Sequence, residues 1–562
     1  MIQPANLKTG SLRHFAAWLA ALFLVVLGAK LWVVQLFGSP LPLWDQWYEA
    51  GSFFAPWMEG HLAWKDFFAP DNEHRIFFTR LLDMTVISLN GRWEPLLQMT
   101  VNAFIHAAFV CALAFCLWDF LGRKNGWLVC FLLAPFYALP YAGENTIWAI
   151  NSQQYFMSLC ALATLAGLGF GKTGGARWWL GLAAAFAGLF TMASGFLASM
   201  AVAGLMILRS IKIRRVEKEN LLTFILCLVI IALGASLNVT MPDDLPLRAH
   251  TPAEFISAFV RNLAWPFIEN SGLMCLVMLL PLALLAVFYF RKNFPEPRAA
   301  EFLLGLGLWS ALQSAAIAFG RANYGDGFPA SRYMDVLNVF VIAGIFAVVL
   351  FAQSWTGGGI SRPLAPLLPL VFAGVIFFSL GKISQIVVKQ LLIPTRMMNL
   401  VAEERVETFM ATGDQRELFE PPTVRPDPKL VLGILSNKKL QAIMPAACLP
   451  PADHPAKGRL AAAADWLLRI SPAILICGLA LFAGLCGLGL ARKIPDLAGA
   501  DLTGTLVLLA ALTALGFVWS KSPIQRNTIE RELHQKLAAY FTSVGNPVRA
   551  AIHEHKAEAL KN

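Results

Sequence analysis

Apolar residues fall in long unbroken runs separated by short polar stretches, with runs beginning near residues 15, 96, 127, 154, 178, 221, 272, 301, 336, 363, 467 and 503. Most are about 20 residues long, the length an α-helix needs to cross a hydrocarbon core of roughly 30 Å at 1.5 Å per residue. The pattern predicts an all-α polytopic membrane protein. The first run, Phe15 to Phe37, is too long for the core of a cleavable signal peptide and lacks a small-residue cleavage site. It is read as an uncleaved signal-anchor, with Lys8 and Arg13 ahead of it placing the N-terminus in the cytoplasm. Residues 178–208 are apolar for 31 residues, with Lys172 and Arg177 before them and Arg209, Lys212, Arg214, Arg215 and Lys218 after. Basic residues at both ends predict two short helices that turn back at Ser194–Gly195, where glycine tolerates a sharp bend. A single tilted helix would instead carry Arg291, Lys292 and Arg298 to the outside. The count becomes about 13 crossings.

On this topology 38–95, 143–153, 239–271, 320–335, 382–466 and the tail 520–562 lie on the non-cytoplasmic side. The expected organisation is a transmembrane module over 1–381 containing the first external loop 38–95, and a small external domain over 382–466. A transmembrane hairpin over 467–519 and a polar helical tail over 520–562 follow. Aromatics mixed with acids in 38–95 predict short amphipathic helices at the interface. In 382–466, a helical stretch to about Met410, a Pro-rich stretch and the short apolar run Leu430 to Leu435 predict a mixed α/β domain. No internal repeat is visible, which argues against an inverted-repeat transporter.

Composition agrees. Of 562 residues, 57% are hydrophobic and 14% charged, against roughly 25% charged in soluble proteins, so a soluble multidomain enzyme is excluded. Of nine cysteines, only Cys448 lies outside an apolar run, and no disulfide framework or metal cluster is implied. The net charge of +10 reports basic cytoplasmic loops rather than nucleic-acid binding.

Three polar clusters could carry chemistry. In the first loop, Asp45 and Glu49 are four apart and share one face of a helix; Asp71, Asn72, Glu73, His74 and Arg75 follow, then Arg80. A carboxylate at a membrane surface can take the proton from an acceptor hydroxyl, while an arginine fork stabilises a departing phosphate. The same residues could also simply pair with one another in a solvated loop. The second cluster runs from Gly320 through Arg321, Asp326, Arg332 and Tyr333 to Asp335. Its arginines lie on the external side, where a lipid phosphate or an ion pair with Asp326 or Asp335 would satisfy them. In the third, Glu144, Asn145, Asn151, Gln153 and Gln154 alternate with Trp148 and Tyr155. These suit a sugar face or an ordinary interfacial belt. Asn102 and His106 share one helix face and are expected to bond a neighbouring helix. Gly167 to Thr173 imitates a phosphate loop but has Ala166 where its first glycine belongs and ends a membrane helix. His553 and His555 are expected on an exposed polar face.

Asp45 with Glu49, the Asp71–Arg75 element and Ser331–Arg332–Tyr333, set in this architecture, resemble the GT-C membrane glycosyltransferases, above all the bacterial polyprenyl-phosphate-sugar-dependent type. The resemblance implies a multi-pass enzyme of the bacterial inner membrane with its site facing the periplasm. It would move a sugar from a polyprenyl-phosphate donor to an envelope glycan or lipid acceptor, among membrane lipids and without nucleic acid. It implies Asp45 as general base with Glu49, Asp71 or Glu73 assisting. Arg75, Arg321 and Arg332 would lie on the donor phosphate; Trp44 and Tyr333 would touch sugar or prenyl chain; His74 and Arg80 complete the binding set. Gln46 follows Asp45 where the family often has an adjacent acidic pair, which leaves open a divalent metal such as Mg or Mn. Other readings are an O-antigen-type polymerase or ligase, a transporter or flippase of lipid-linked glycans, and a noncatalytic scaffold. A transporter would string charged residues through the membrane, and the apolar runs look nearly free of them.

Overall fold

The computed structural model describes residues 9–123, 126–291, 294, 296–324, 329–354, 367–421, 424–450, 452, 454–490 and 526–561. Among these, nine helices are long and apolar enough to cross a bilayer: Leu12–Phe37, Pro95–Phe120, Gly126–Ile147, Lys218–Leu237, Ser271–Tyr289, Pro297–Arg321, Ser331–Ala352, Val371–Thr412 and Ser471–Leu488. The protein is thus an all-α polytopic membrane protein, with fewer full-length spans than the 13 expected. Three expected crossings are shorter helices, Ser152–Leu168, Ala176–Gly188 and Leu197–Ile213. The run near 503 lies outside the described residues.

The first helix runs through the middle of the bundle, packed on Pro95–Phe120, Gly126–Ala138 and Ser471–Leu490. Small residues allow the last contact, as is usual between membrane helices. A Cβ on Gly28 would lie 2.4 Å from the Leu475 amide nitrogen, and one on Gly478 2.7 Å from that of Val25.

The 178–208 run does break into two short helices, joined by a turn through 189–196 in which a Cβ on Gly195 would sit 1.8 Å from the Gly188 carbonyl oxygen. That turn touches the first loop, where the Ala193 amide donates to His74 Nδ1 at 3.3 Å. The basic flanks meet at the opposite end of the bundle. Arg209 lies over the Phe170 ring, while Arg177 and Arg298 lie over Phe120.

Within 382–466 the described residues form helices and no strand, in place of the expected mixed α/β domain. The span that starts at Val371 continues through a wide π-turn to Thr412, and the run Leu430 to Leu435 is helical within Pro428–Ser436. Its signals were a helix start: Pro428 in the first turn and Asp427 accepting a hydrogen bond from the Lys429 amide. Val431, Ile434 and Leu435 are buried at helical spacing. They pack on Trp47, Phe53, Phe54 and Trp93, so the first loop and this segment share one core. The tail folds as a helical pair, Arg526–Ser543 and Pro547–Ala559. It is fixed to the Ile393–Thr412 helix by Arg396 on Glu530 and by Arg549 on Glu404, and to the segment after that helix by Arg549 on Glu417. Arg526 reaches the carbonyls of Gln35 and Gly38, which places the tail at the same end as the first loop.

Candidate functional site

The loops at that end converge on Asp45. The backbone at Trp44 takes a positive φ of 49° and opens the short helix Asp45–Glu49, so Asp45 stands at its first turn. Asp71 and His74 exchange two backbone hydrogen bonds, of 2.7 and 2.9 Å, around a tight turn with Asn72 at φ 48°. The Asn72 side chain lies beside the Asp45 carboxyl and acts to lower it. Burial raises the Asp45 carboxyl above its ordinary range, and Arg332, Asn72 and Arg321 partly offset that.

Arg332 is held rigidly. Its amide and guanidinium donate to Glu144 at 2.9 and 3.4 Å, and Glu144 also accepts from Ser331 Oγ at 3.1 Å. The rings of Tyr324, Tyr333 and Trp148 surround the guanidinium at 4.9, 5.0 and 5.9 Å. Trp44 faces Trp148 at 6.4 Å and carries Arg425 over its ring at 5.3 Å. Arg321 pairs with Glu73 at 3.1 Å and with Asp244 at 3.2 Å, and Arg248 joins Glu73 at 3.2 Å. Asp326 lies outside the described residues.

The acids form a row leading inward. Asp71, influenced by Asp45 and Arg80, is pushed up to about 7, chiefly by burial. Behind it Glu49 is wholly buried, neither of its oxygens has a donor among the described residues, and its neighbour is a second acid, Asp83. Burial and that like charge hold the Glu49 carboxyl well above its ordinary range. Glu49 therefore lies inside the loop, while Asp45 stays partly exposed. Arg75 and Arg80 do not join Arg321 and Arg332. Arg75 donates to the carbonyls of Phe68 and Leu237, and Arg80 to those of Asp66, Phe67 and Ala69. Both staple the turn around 64–69. His74 is driven down to about 4 by burial and by Arg321 and Arg332, which leaves it neutral and accepting.

The amides of 143–155 turn inward. Asn145 donates to the Arg332 carbonyl at 2.8 Å and to Asp335 at 3.0 Å, and Asn102 to the Ala149 carbonyl at 2.6 Å. Only Trp148 of this cluster contributes a face near Arg332. His553, expected on an exposed face, is fully buried against Glu404 at 3.2 Å and His534 at 2.9 Å. The membrane interior is also less bare than the runs suggest. Lys30, His106 and Asp335 are all buried, with His106 Nε2 4.0 Å from Asp335 and Lys30 Nζ without a hydrogen bond among the described residues.

Asp83, Asp244, Arg248 and Lys30 stand outside the three polar clusters legible in the sequence. Lys30 was visible as the one charge inside the Phe15–Phe37 run, and Asp83 as an acid three residues from Arg80 on one helix. Glu73 is committed to two arginines and Glu49 faces Asp83. No group of three or more His, Cys, Asp or Glu among the described residues is placed to share a metal ion.

These shifts give the first loop and the helical tail opposite pH responses. Asp71, raised from 3.8 to about 7, keeps its proton in the folded loop after the unfolded chain has lost it. Its contribution to stability is therefore lost as pH rises through that window. His534 and His553, lowered from 6.5 to about 4 mainly by burial, favour the folded tail at neutral pH and oppose it as pH falls towards 4. Hydrogen exchange, corrected for intrinsic rates, is expected to slow in 38–95 and quicken in 526–561 on moving from about pH 8 to about pH 5. Parallel changes in both segments would contradict these assignments.

No protein-family model matches the chain, and no curated protein or solved structure matches it.

Proposed function

We propose that this protein is a membrane glycosyltransferase of GT-C type, acting at the non-cytoplasmic face of a bacterial inner membrane. Its donor is a polyprenyl-phosphate sugar and its acceptor an envelope glycan or lipid hydroxyl. One observation carries the reading: a partly buried carboxylate, Asp45, stands opposite two fixed guanidiniums, Arg332 and Arg321, at the end of a helix bundle. As the acceptor oxygen bonds to the sugar's anomeric carbon, Asp45 takes its proton. The bond from that carbon to the phosphate oxygen breaks, and the phosphate keeps the electron pair. Arg332 and Arg321 stabilise the charge it gains. Tyr333, Trp44 and Trp148 supply flat faces for a sugar ring.

Envelope glycans from a deletion strain, profiled by mass spectrometry, are expected to lack one hexose or pentose that the wild-type gene restores. An unchanged profile overturns the reading.

A second reading, a transporter or flippase of lipid-linked glycans, draws on the buried Lys30, His106 and Asp335, since ionisable side chains inside a membrane commonly mark a transport path.

A further inference from the structure

A cavity lies away from Asp45, at the basic end of the bundle. It encloses about 360 Å³ between the Gly169–Gly171 turn, Thr173, Arg209, Asn220 and Arg298, with Glu219 and Glu301 also in its wall. That size suits a small ligand or headgroup.

Its two arginines differ. Arg209 is anchored, with Nε and one terminal nitrogen on Glu301 at 2.8 and 2.7 Å, and Glu301 is further fixed by the Tyr289 hydroxyl at 2.6 Å. This pairing neutralises Glu301 and leaves the other edge of the Arg209 fork open. Arg298 is exposed, and its guanidinium has only the Phe120 face as a described contact, at 5.0 Å. Among the described residues, the wall therefore offers one free cation, one half-used cation and one free acid, Glu219. Lys212, stacked on Tyr289 at 3.6 Å, stands nearby.

The surroundings indicate where a ligand would come from. Glu219 and Asn220 open the helix Lys218–Leu237, one of the spans long enough to cross a bilayer. Leu221, Leu222, Ile225, Leu228, Val229 and Leu233 are exposed along that helix, as a lipid-facing surface would be. A headgroup in the cavity could thus lay its chains directly on apolar side chains.

We infer that this cavity binds the headgroup of an amine-bearing glycerophospholipid, its phosphate on Arg298 and the open edge of Arg209 and its ammonium on Glu219. The site is independent of the transferase cleft. A phosphate takes charge-assisted hydrogen bonds from guanidinium, and a wall carrying both charge signs favours a zwitterionic headgroup over a purely anionic one.

The full-length protein, purified in mild detergent and exchanged into defined lipids, tests this by native mass spectrometry. Wild type is expected to retain phosphatidylethanolamine in preference to phosphatidylglycerol. Arg298→Ala should lower that retention about tenfold, the effect of losing one charge-assisted contact, and Arg298→Lys should restore part of it. Glu219→Gln should remove the preference between the two lipids. Thr173→Trp, which fills the cavity without altering either arginine, should act like Arg298→Ala and guards against a charge effect on folding. Unchanged retention in both Arg298→Ala and Thr173→Trp overturns the site. Displacement of the lipid by inorganic phosphate or by glycerophosphoethanolamine at equal concentration overturns the lipid assignment in favour of a soluble phosphate ester.

Discussion

Asp45→Asn is expected to lower sugar transfer by roughly 100- to 10,000-fold, the range over which a positioned general base acts. Asparagine keeps the shape of the side chain and can still meet Asn72, but it cannot take a proton. Folding should be unharmed, because the substitution removes a charge whose burial already raises the carboxyl's pKa. Glu49→Gln is the informative partner. Glu49 lies four residues on, wholly buried beside Asp83, and burial and that like charge raise its carboxyl and favour the protonated form, so glutamine is its nearest neutral mimic. It should leave turnover within about threefold while slightly stabilising the loop at alkaline pH. Single-turnover transfer from a purified polyprenyl-phosphate sugar separates the two, and a melting curve for each variant excludes unfolding. Transfer by Asp45→Asn at wild-type rate removes Asp45 from the role of base, and with it the observation on which the transferase reading rests.

How far the sequence led depended on the range of the interaction. The spans were legible because bilayer crossing is a local property of about 20 consecutive side chains. The turn at Ser194–Gly195 was legible because charge at both ends of one run constrains its path. The structure gathers Arg177, Arg209 and Arg298 at one end of the bundle and the first loop at the other. The helix at Pro428–Ser436 is hard to tell from a strand because six apolar residues fit a buried strand as well as a helix, and the cap at Asp427 is the local signal that separates them. Pairings across hundreds of residues left no local trace. Nothing near Arg332 announces Glu144, and nothing near Glu73 announces Arg321 and Arg248. Arg75 and Arg80 show the converse: arginines next to acids in sequence turn instead to backbone carbonyls, since a buried turn leaves carbonyl oxygens that need donors.

Removing either charge of the interior cluster should destabilise the protein by about 3–5 kcal/mol, the cost of leaving a buried charge without its opposite. Lys30 is buried on the first helix, and the opposite charge acting on it is Asp335. Asp335 in turn accepts from Asn145 at 3.0 Å and stands 4.0 Å from His106. Asp335→Asn leaves the ammonium with no compensating carboxylate, and Lys30→Met leaves the carboxylate with Asn145 and a neighbouring imidazole. The single losses should therefore be large and unequal, with Asp335→Asn the worse. The double variant Lys30→Met/Asp335→Asn removes both charges at nearly constant volume and should recover most of the stability, because each single loss is dominated by the charge left behind. Melting temperatures in one detergent, taken for all four proteins, give the coupling directly; additive losses would show that the two groups do not act on each other. Activity of the double variant then separates the two functional readings. A stable double variant that still transfers sugar confines the cluster to holding the helices together. One that is stable but has lost its in vivo glycan function while transferring sugar normally in detergent places Lys30, His106 and Asp335 on a transport path.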